Sequence, residues 1–471
     1  MVSTPPSRFR TWPIALALVS LGSVYLTLVN LTISVQNQRQ FDRTPVKKIV
    51  AYSLLKQIEK DSEEIECEFK YFKDNVTLGY DTEWYQVDGT NVFVYSVHKD
   101  LRLQPYQFVR IVSMTKGSIN SSLFCQLYSK DGSVFVTKTT FTPVWSEKWD
   151  QNSTNVYYNP ILLSCRIPIG LIPVFVKLTT QPCEINVNSR KYDLEPLNLP
   201  KRMFTVCVKP LNFKEDISKR LIQWIEINRI LGAEKIELYI GKLDDRVKKT
   251  LKWYPNTIAT KQFSEITNNE QNDTHPTYNE KSEAYVKNLW QKRRYEIIAY
   301  NDCFYRNLMS TYIIPLDVDE IIVPLKTRSW QSLLRSQSQL KGEFASFSVS
   351  NAYFFTKKQQ FSKEQPYFFK NMYRSNPSKN GESCKSFIIT NNTLTVFNHY
   401  AFDVLRPGVG KTHFLSRNLV QMNHYKTNCS TVILPECAKY ISSPKKKDVS
   451  IFRYRQEFYK NYNEIVKLLK L

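Results

Sequence analysis

Glycine is scarce in this sequence, with 12 residues in 471, and no segment repeats, which excludes a fibrous chain. Nine cysteines are present, but none pair at the Cys-x-x-Cys spacing of structural zinc sites. Between Arg10 and Arg39 there is no charged residue at all. The stretch inside that gap, residues 12–35, reads WPIALALVSLGSVYLTLVNLTISV. It exceeds the roughly 20 apolar residues that cross a bilayer and outruns the roughly 7–15 apolar residues of a cleaved signal peptide. A short tail at 1–11 and an uncleaved signal-anchor helix at 12–35 are the expectation.

What is present suits a globular body. Hydrophobic residues make up 42%, charged residues 23% and aromatics 13%, enough to exclude a mainly disordered chain. The length has room for two or three cores. The formal charge of +22 is compatible with nucleic acid, anionic membrane or phosphorylated small molecules. Basic residues flank the apolar stretch on both sides and so leave its orientation open. Two further features decide it. Six Asn-x-Ser/Thr acceptors, at Asn75, Asn120, Asn152, Asn272, Asn391 and Asn428, follow the span, as do all nine cysteines. The expectation is a cytoplasmic tail, one anchor and a large body in an oxidising lumen, with nucleic acid excluded as a partner. The odd cysteine count leaves at least one thiol unpaired or intermolecular.

Residues 36–65 are polar and charged and read as a stem. From 66 to 199 short β-branched and aromatic runs follow one another, NVFVYSVH (91–98), YQFVRIVSM (106–114), SLFCQLYS (122–129), SVFVTKTTF (133–141) and IPVFVKL (172–178). They predict an antiparallel sheet or sandwich, structural or acceptor-positioning, with carbohydrate binding as the sharper alternative. The pattern then changes. MFTVCV (203–208) reads as a buried strand; Ile217, Leu221, Trp224, Ile225 and Leu231 share a helical face ending at Gly232; IELYI (236–240) returns as a strand. Strand, helix, strand is the unit of a parallel sheet. Another helix is predicted over 283–300, leading to a strand at TYIIPL (311–316) in which Pro315 should loosen pairing. A final helix is expected between 448 and 471.

Asp317-Val318-Asp319-Glu320 closes that strand. Ligands of open α/β sheets collect beyond the carboxyl ends of their strands. In a near-extended turn Asp317 and Asp319 project to one side while Val318 turns to the core. Two hard oxygen donors suit Mn²⁺ or Mg²⁺, with substrate phosphates completing the coordination. Apolar flanks on both sides draw these carboxylates toward a buried edge, where a cation offsets their desolvation.

NDCFYRN (301–307), PLDVDEIIVP (315–324), KSFII (385–389), Asn398-His399 and NHYK (423–426), with VCVKPL (206–211) as an opening, resemble glycosyltransferase family 92, also called the DUF23 domain. The resemblance covers about residues 200–440. It implies an α/β protein with a GT-A, Rossmann-like domain at 200–440, preceded by the β-rich domain and the transmembrane helix and followed by a helical extension at 441–471. It also implies a single-pass type II Golgi membrane protein that transfers galactose from UDP-galactose, with inversion, to a glycoprotein or glycolipid glycan. Asp317 and Asp319 then correspond to the acids that hold Mn²⁺ (or Mg²⁺) and the donor diphosphate. His424, in a motif similar to the family's HYR, is the expected third ligand, with Lys426 replacing arginine and so offering a point charge where a fork is usual. Inversion calls for a carboxylate base near the acceptor hydroxyl, and Glu382 and Asp403 are the candidates. Asp302, Arg306 and Lys385 are candidate UDP-sugar contacts; for the first two a helix-end ion pair is the equal alternative. Cys303 and Cys384 read as structural. The competing readings are a catalytically inactive lumenal glycan-binding protein and a transferase using another nucleotide sugar.

Overall fold

The computed structural model describes residues 64–65, 67 and 84–471, apart from 120, 151–155, 185–189, 195–199, 267–282, 356–365, 428 and 430–434. The predicted anchor at 12–35 and most of the stem lie outside the described residues. Among the described residues no helix is long and apolar enough to cross a membrane.

The amino-terminal part is a two-sheet antiparallel sandwich. Strands β1 (Val92–Leu103), β2 (Tyr106–Lys116), β3 (Phe124–Ser129), β4 (Val134–Lys138), β5 (Thr140–Pro143), β6 (Tyr158–Ile167) and β7 (Pro173–Thr179) carry most of it. One sheet holds β1, β2, β6 and β5 in that order, the other β4, β3 and β7. Val109, Ile111, Leu127, Val176, Leu163 and Ile167 fill the space between them, and a disulfide joins Cys125 of β3 to Cys165 of β6. The run predicted over 133–141 is two strands, broken at Thr139, one in each sheet.

The rest is built on one mixed sheet. In chain order its neighbourhood comprises β8 (Arg202–Phe213), α1 (Ser218–Leu231), β9 (Lys235–Leu243), α2 (Asp245–Lys252), β10 (Ile258–Gln262), α3 (Glu283–Arg306), β11 (Ser310–Pro315), β12 (Glu320–Pro324), α4 (Trp330–Arg335), β13 (Phe344–Val349), β14 (Asn351–Phe355), the short α5 (Tyr367–Lys370), β15 (Lys385–Ile389), β16 (Thr393–Val396), β17 (Ala401–Val404), β18 (Gly410–Phe414), β19 (Val420–Lys426), α6 (Pro435–Ile441) and α7 (Arg455–Leu469). The sheet order is β10-β9-β8-β11-β15-β13-β18. The first four strands are parallel, and β15 runs against both neighbours. The predicted βαβ unit is β8-α1-β9, and α1 ends at Gly232, whose φ of 128° suits a residue without a Cβ.

Two-residue periodicity splits the strand side chains between two cores. Phe204, Val206, Ile314, Phe347 and Phe387 face a core closed by α1, α4 and α7. Their neighbours Cys207, Ile313 and Ile388 face α3 and the sandwich residues Tyr95, Val112, Met114 and Leu162. Helix α3 is therefore a shared wall. The loosening predicted at Pro315 is one-sided: β8 stays in register through Cys207 and Pro315, whereas pairing with β15 ends at Ile313. The chain leaves the sheet there and enters the acidic turn.

Candidate active site

The chain runs outward from β8 through β9 to β10 and then returns to place β11 on the other side of β8, so the winding of the sheet reverses at β8 and opens a crevice at its carboxyl end. A cleft of about 940 Å³ occupies that place. Pairing with β9 loses register after Val208, where Pro210 offers no N–H, and the ladder jumps to Leu211. Lys209 sits in the bulge and lines the cleft.

The acidic turn forms the facing rim. It is a closed turn, with the Glu320 N–H donating to the Asp317 carbonyl at 3.0 Å, and is tighter than the near-extended shape expected. Val318 is buried in the apolar core as predicted, and the carboxylates of Asp317 and Asp319 stay partly open, 20% and 33% exposed. Two anchors fix the turn. The Trp224 indole of α1 donates to the Glu320 carbonyl at 2.8 Å, and the Glu320 carboxylate accepts the Asp317 N–H at 2.9 Å.

Charge pairs divide this turn into two halves. Asp317 Oδ2 lies 3.1 Å from Lys209 Nζ and 3.7 Å from Lys385 Nζ. Burial alone would raise the Asp317 pKa, but these two ammonium groups hold it well below the usual carboxylate range. Burial would lower the pKa of Lys209 and Lys385, but Asp317, joined by Glu296 at Lys209 and by Glu320 at Lys385, outweighs it and raises both. Lys209 also faces Glu296 at 3.6 Å, itself gripped by Arg293 at 2.7 Å. On the other half, Asp319 Oδ2 lies 3.5 Å from His424 Nε2. Burial of Asp319 is outweighed by that imidazole, and its pKa is lowered. His424 is placed by β19, which pairs with both β12 and β14, opposite Glu320 and Tyr353. Its ring stacks on Tyr353, centroids 5.2 Å apart. The buried Glu320 lies 3.1 Å from Lys385, yet burial and the Asp317 charge raise its pKa.

Asp317, Asp319, Lys385 and His424 are thus brought together. Among the described residues no group of three or more histidine, cysteine or acidic side chains stands ready-made to hold a metal. The donors fit a divalent ion that takes the rest of its ligands from phosphate and water: Asp319 offers oxygen, His424 nitrogen, and both line the cleft. Asp317 already answers two lysines, which leaves it less free to ligate.

The remaining predicted residues divide. Glu382 lines the cleft, where the Tyr440 hydroxyl donates at 2.6 Å and Lys439 pairs at 2.9 Å; the tyrosine hydrogen bond leads in lowering its pKa. Asp403 does not line it; its carboxylate accepts from Thr395 within the β16–β17 hairpin at 2.6 Å. Asp302 lies on α3 away from the cleft, buried among His98 (3.1 Å), Lys261 (3.1 Å) and the Tyr239 hydroxyl (2.5 Å). Arg306 makes a helix-end ion pair with Glu237 at 2.8 Å. Neither contacts the place where a donor would sit. His399 lines the cleft, and burial together with Lys385 depresses its pKa, so it is neutral.

Sequence reasoning did not single out Lys209, Arg293 or Glu296, and it placed Glu320 in the acidic cluster without giving it a role. The first had a signal: Lys209 ends the apolar run MFTVCV as Asp317 ends TYIIPL, and adjacent parallel strands deliver their ends to one edge. Arg293 and Glu296 belong to a helical pattern with no comparable mark.

The predicted thiol chemistry has a definite form. Disulfides join Cys67–Cys183, Cys125–Cys165, Cys207–Cys303 and Cys429–Cys437, and Cys384 is a buried free thiol.

The model of glycosyltransferase family 92 matches residues 202–464. Beta-1,4-galactosyltransferase galt-1 of Caenorhabditis elegans is 26% identical over 178 residues, which is 35% of this chain and 39% of that protein. The match thus spans well under half the length of that relative. The chain belongs to glycosyltransferase family 92.

Proposed function

We propose that this member of glycosyltransferase family 92 transfers galactose from UDP-galactose to a hydroxyl of a glycoprotein or glycolipid glycan, inverting the anomeric centre. In this reading Asp319 and His424, with Asp317 beside them, hold Mn²⁺ (or Mg²⁺) against the donor diphosphate. The protein works as a single-pass type II membrane protein with its catalytic part in the Golgi lumen. The carrying observation is the division of the acidic turn, with an oxygen–nitrogen pair at Asp319 and His424 and a lysine-neutralised carboxylate at Asp317, at the rim of a nucleotide-sized cleft. The printed name of the nematode relative supports galactose. Four disulfides and the acceptor sites after the apolar stretch support a lumenal body.

The residues then act as follows. Lys209 and Lys385 present fixed positive charge to the leaving diphosphate, where negative charge grows as the glycosidic bond breaks. Arg293, paired with Glu296, keeps Lys209 between two carboxylates and so holds it in place. The ion's contribution, when bound, is to neutralise the same developing charge. Of the two candidate bases Glu382 is the one that lines the cleft, held ionised by Tyr440 and Lys439. A carboxylate so held accepts a proton weakly, which places the burden of catalysis on leaving-group stabilisation.

The test is release of UDP by the purified chain from a panel of nucleotide sugars, with Mn²⁺, Mg²⁺ or chelator, beside Asp319→Ala. UDP-galactose should be preferred, and both chelation and the substitution should abolish release. Preference for another donor would overturn the galactose assignment. No release from any donor would favour the silent glycan-binding reading.

A further inference from the structure

A second cavity, of about 1200 Å³, adjoins the donor cleft, and Arg220 and Tyr367 line both. The Arg220 guanidinium sits 5.6 Å from the Tyr367 ring centroid, so one cation and one aromatic plate stand at the passage between the two spaces. The side chains of Lys219, Arg220, Arg246, Lys249, Lys370 and Lys470 all line this second cavity, against two acidic side chains, Glu215 and Asp216. Asp216 is already engaged: it accepts from the Ser218 N–H at 2.9 Å and the Ser218 hydroxyl at 2.5 Å, and pairs with Arg246 at 3.2 Å. Lys219, Lys249 and Lys470 form no ion pair among the described residues. The Arg220 Nε is a buried donor with no hydrogen-bond partner among the described residues, and such a donor gains when a ligand supplies the missing acceptor. Tyr459 and Tyr462 also line the cavity, offering half-buried ring faces of the kind on which sugar C–H surfaces pack.

We infer that this cavity is an acceptor subsite that takes an anionic substituent, a sulfate ester or a carboxylate, on the glycan whose hydroxyl enters the neighbouring cleft. The inference rests on the transferase reading above and adds the substrate class. Excess positive charge around a concave surface concentrates anions, and the continuity through Arg220 and Tyr367 lets one oligosaccharide occupy both spaces. A neutral glycan can answer the Arg220 donor with a hydroxyl oxygen but leaves Lys219, Lys249 and Lys470 without a counter-charge, so the charge discriminates between acceptors.

The experiment uses the full chain with paired acceptors, a neutral glycan and the same glycan carrying either sulfate or sialic acid. Wild type should favour an acidic member by about tenfold in kcat/KM, as expected for charge-assisted hydrogen bonds. K219E/K249E should bring the ratio to one or below, and added salt should shrink it. Retention on a glycan array without donor reads the same subsite without turnover, and K219Q/K249Q, with its melting temperature measured alongside, guards against misfolding. Sulfate-only or carboxylate-only preference names the group. Equal handling of acidic and neutral glycans in both assays, or a preference unmoved in both double variants, overturns the subsite. Failure to release UDP from any donor would sink the transferase reading alone, because array retention still decides the subsite.

Discussion

Lys209 Nζ and Asp317 Oδ2 stand 3.1 Å apart although 108 residues separate them in the chain. One sits in the bulge of β8 and the other just beyond the end of the adjacent parallel β11, and each explains the other's ionisation. A lysine so placed keeps Asp317 ionised in a partly buried turn, and under the proposed function it would also present charge to the donor diphosphate.

Replacing Lys209 with Met should therefore lower UDP release by about 10- to 100-fold, the effect of one charge-assisted contact of about 1.5–3 kcal/mol. Single-turnover kinetics with UDP-galactose measure it. An unchanged rate would remove Lys209 from the mechanism.

His424→Ala deletes the nitrogen donor and the stacking partner of Tyr353. It should raise the Mn²⁺ concentration needed for half-maximal UDP release by at least about tenfold, the range seen when support around a metal is lost. Titration of activity against Mn²⁺ reads the change, and His424→Gln should recover part of the loss.

Asp302 is a structural charge. Burial would raise its pKa, but Lys261 and His98 outweigh this and hold it well below the ordinary carboxylate range. A depressed carboxylate adds stability that is complete above the unfolded pKa of about 3.9 and is lost as pH falls through the folded value. The Asp302 contribution to thermal stability should thus be full and independent of pH near neutrality, and should be lost as pH falls below about 4. Asp302→Asn should cost about 3–5 kcal/mol at neutral pH by leaving Lys261 unpaired, and should flatten the acid limb.

Cutting away the sandwich should unfold what remains. Arg102 of β1 donates to the carbonyls of Thr390 and Thr393, Arg294 of α3 pairs with Asp150 at 2.6 Å, and the Gln291 side chain exchanges two hydrogen bonds with the Tyr158 backbone. A fragment of residues 200–471 should therefore be insoluble or lack a cooperative melting transition. A soluble, cooperatively melting fragment would refute this.

Much of the fold was legible where one periodicity ruled. The β8-α1-β9 unit, the helix into β11, the site of Asp317 and Asp319 and the five β-rich runs all followed from apolar spacing. Strand β6 was not seen, because Pro160 and Asn159 interrupt YNPILLSCRI, although it lies centrally between β2 and β5. The small sheet of β12, β14 and β19 was also hidden, since its strands come from distant segments and only tertiary pairing makes them strands. The same limit applies to the site. Asp319 announced itself by sequence, whereas the role of Asp302 depended on which side of α3 it faced, and that was decided by His98, Tyr239 and Lys261 from three other strands.

The Cys207–Cys303 bond lies two positions before Lys209 and ties the strand carrying that lysine to the helix carrying Glu296 and Tyr300. Protein matured where glutathione keeps thiols reduced would have that buckle undone, with the cleft wall carrying Lys209 and Glu296 free to drift. Material for enzymology is accordingly best drawn from a secretory host, and dithiothreitol in an assay buffer would act as a slow inhibitor.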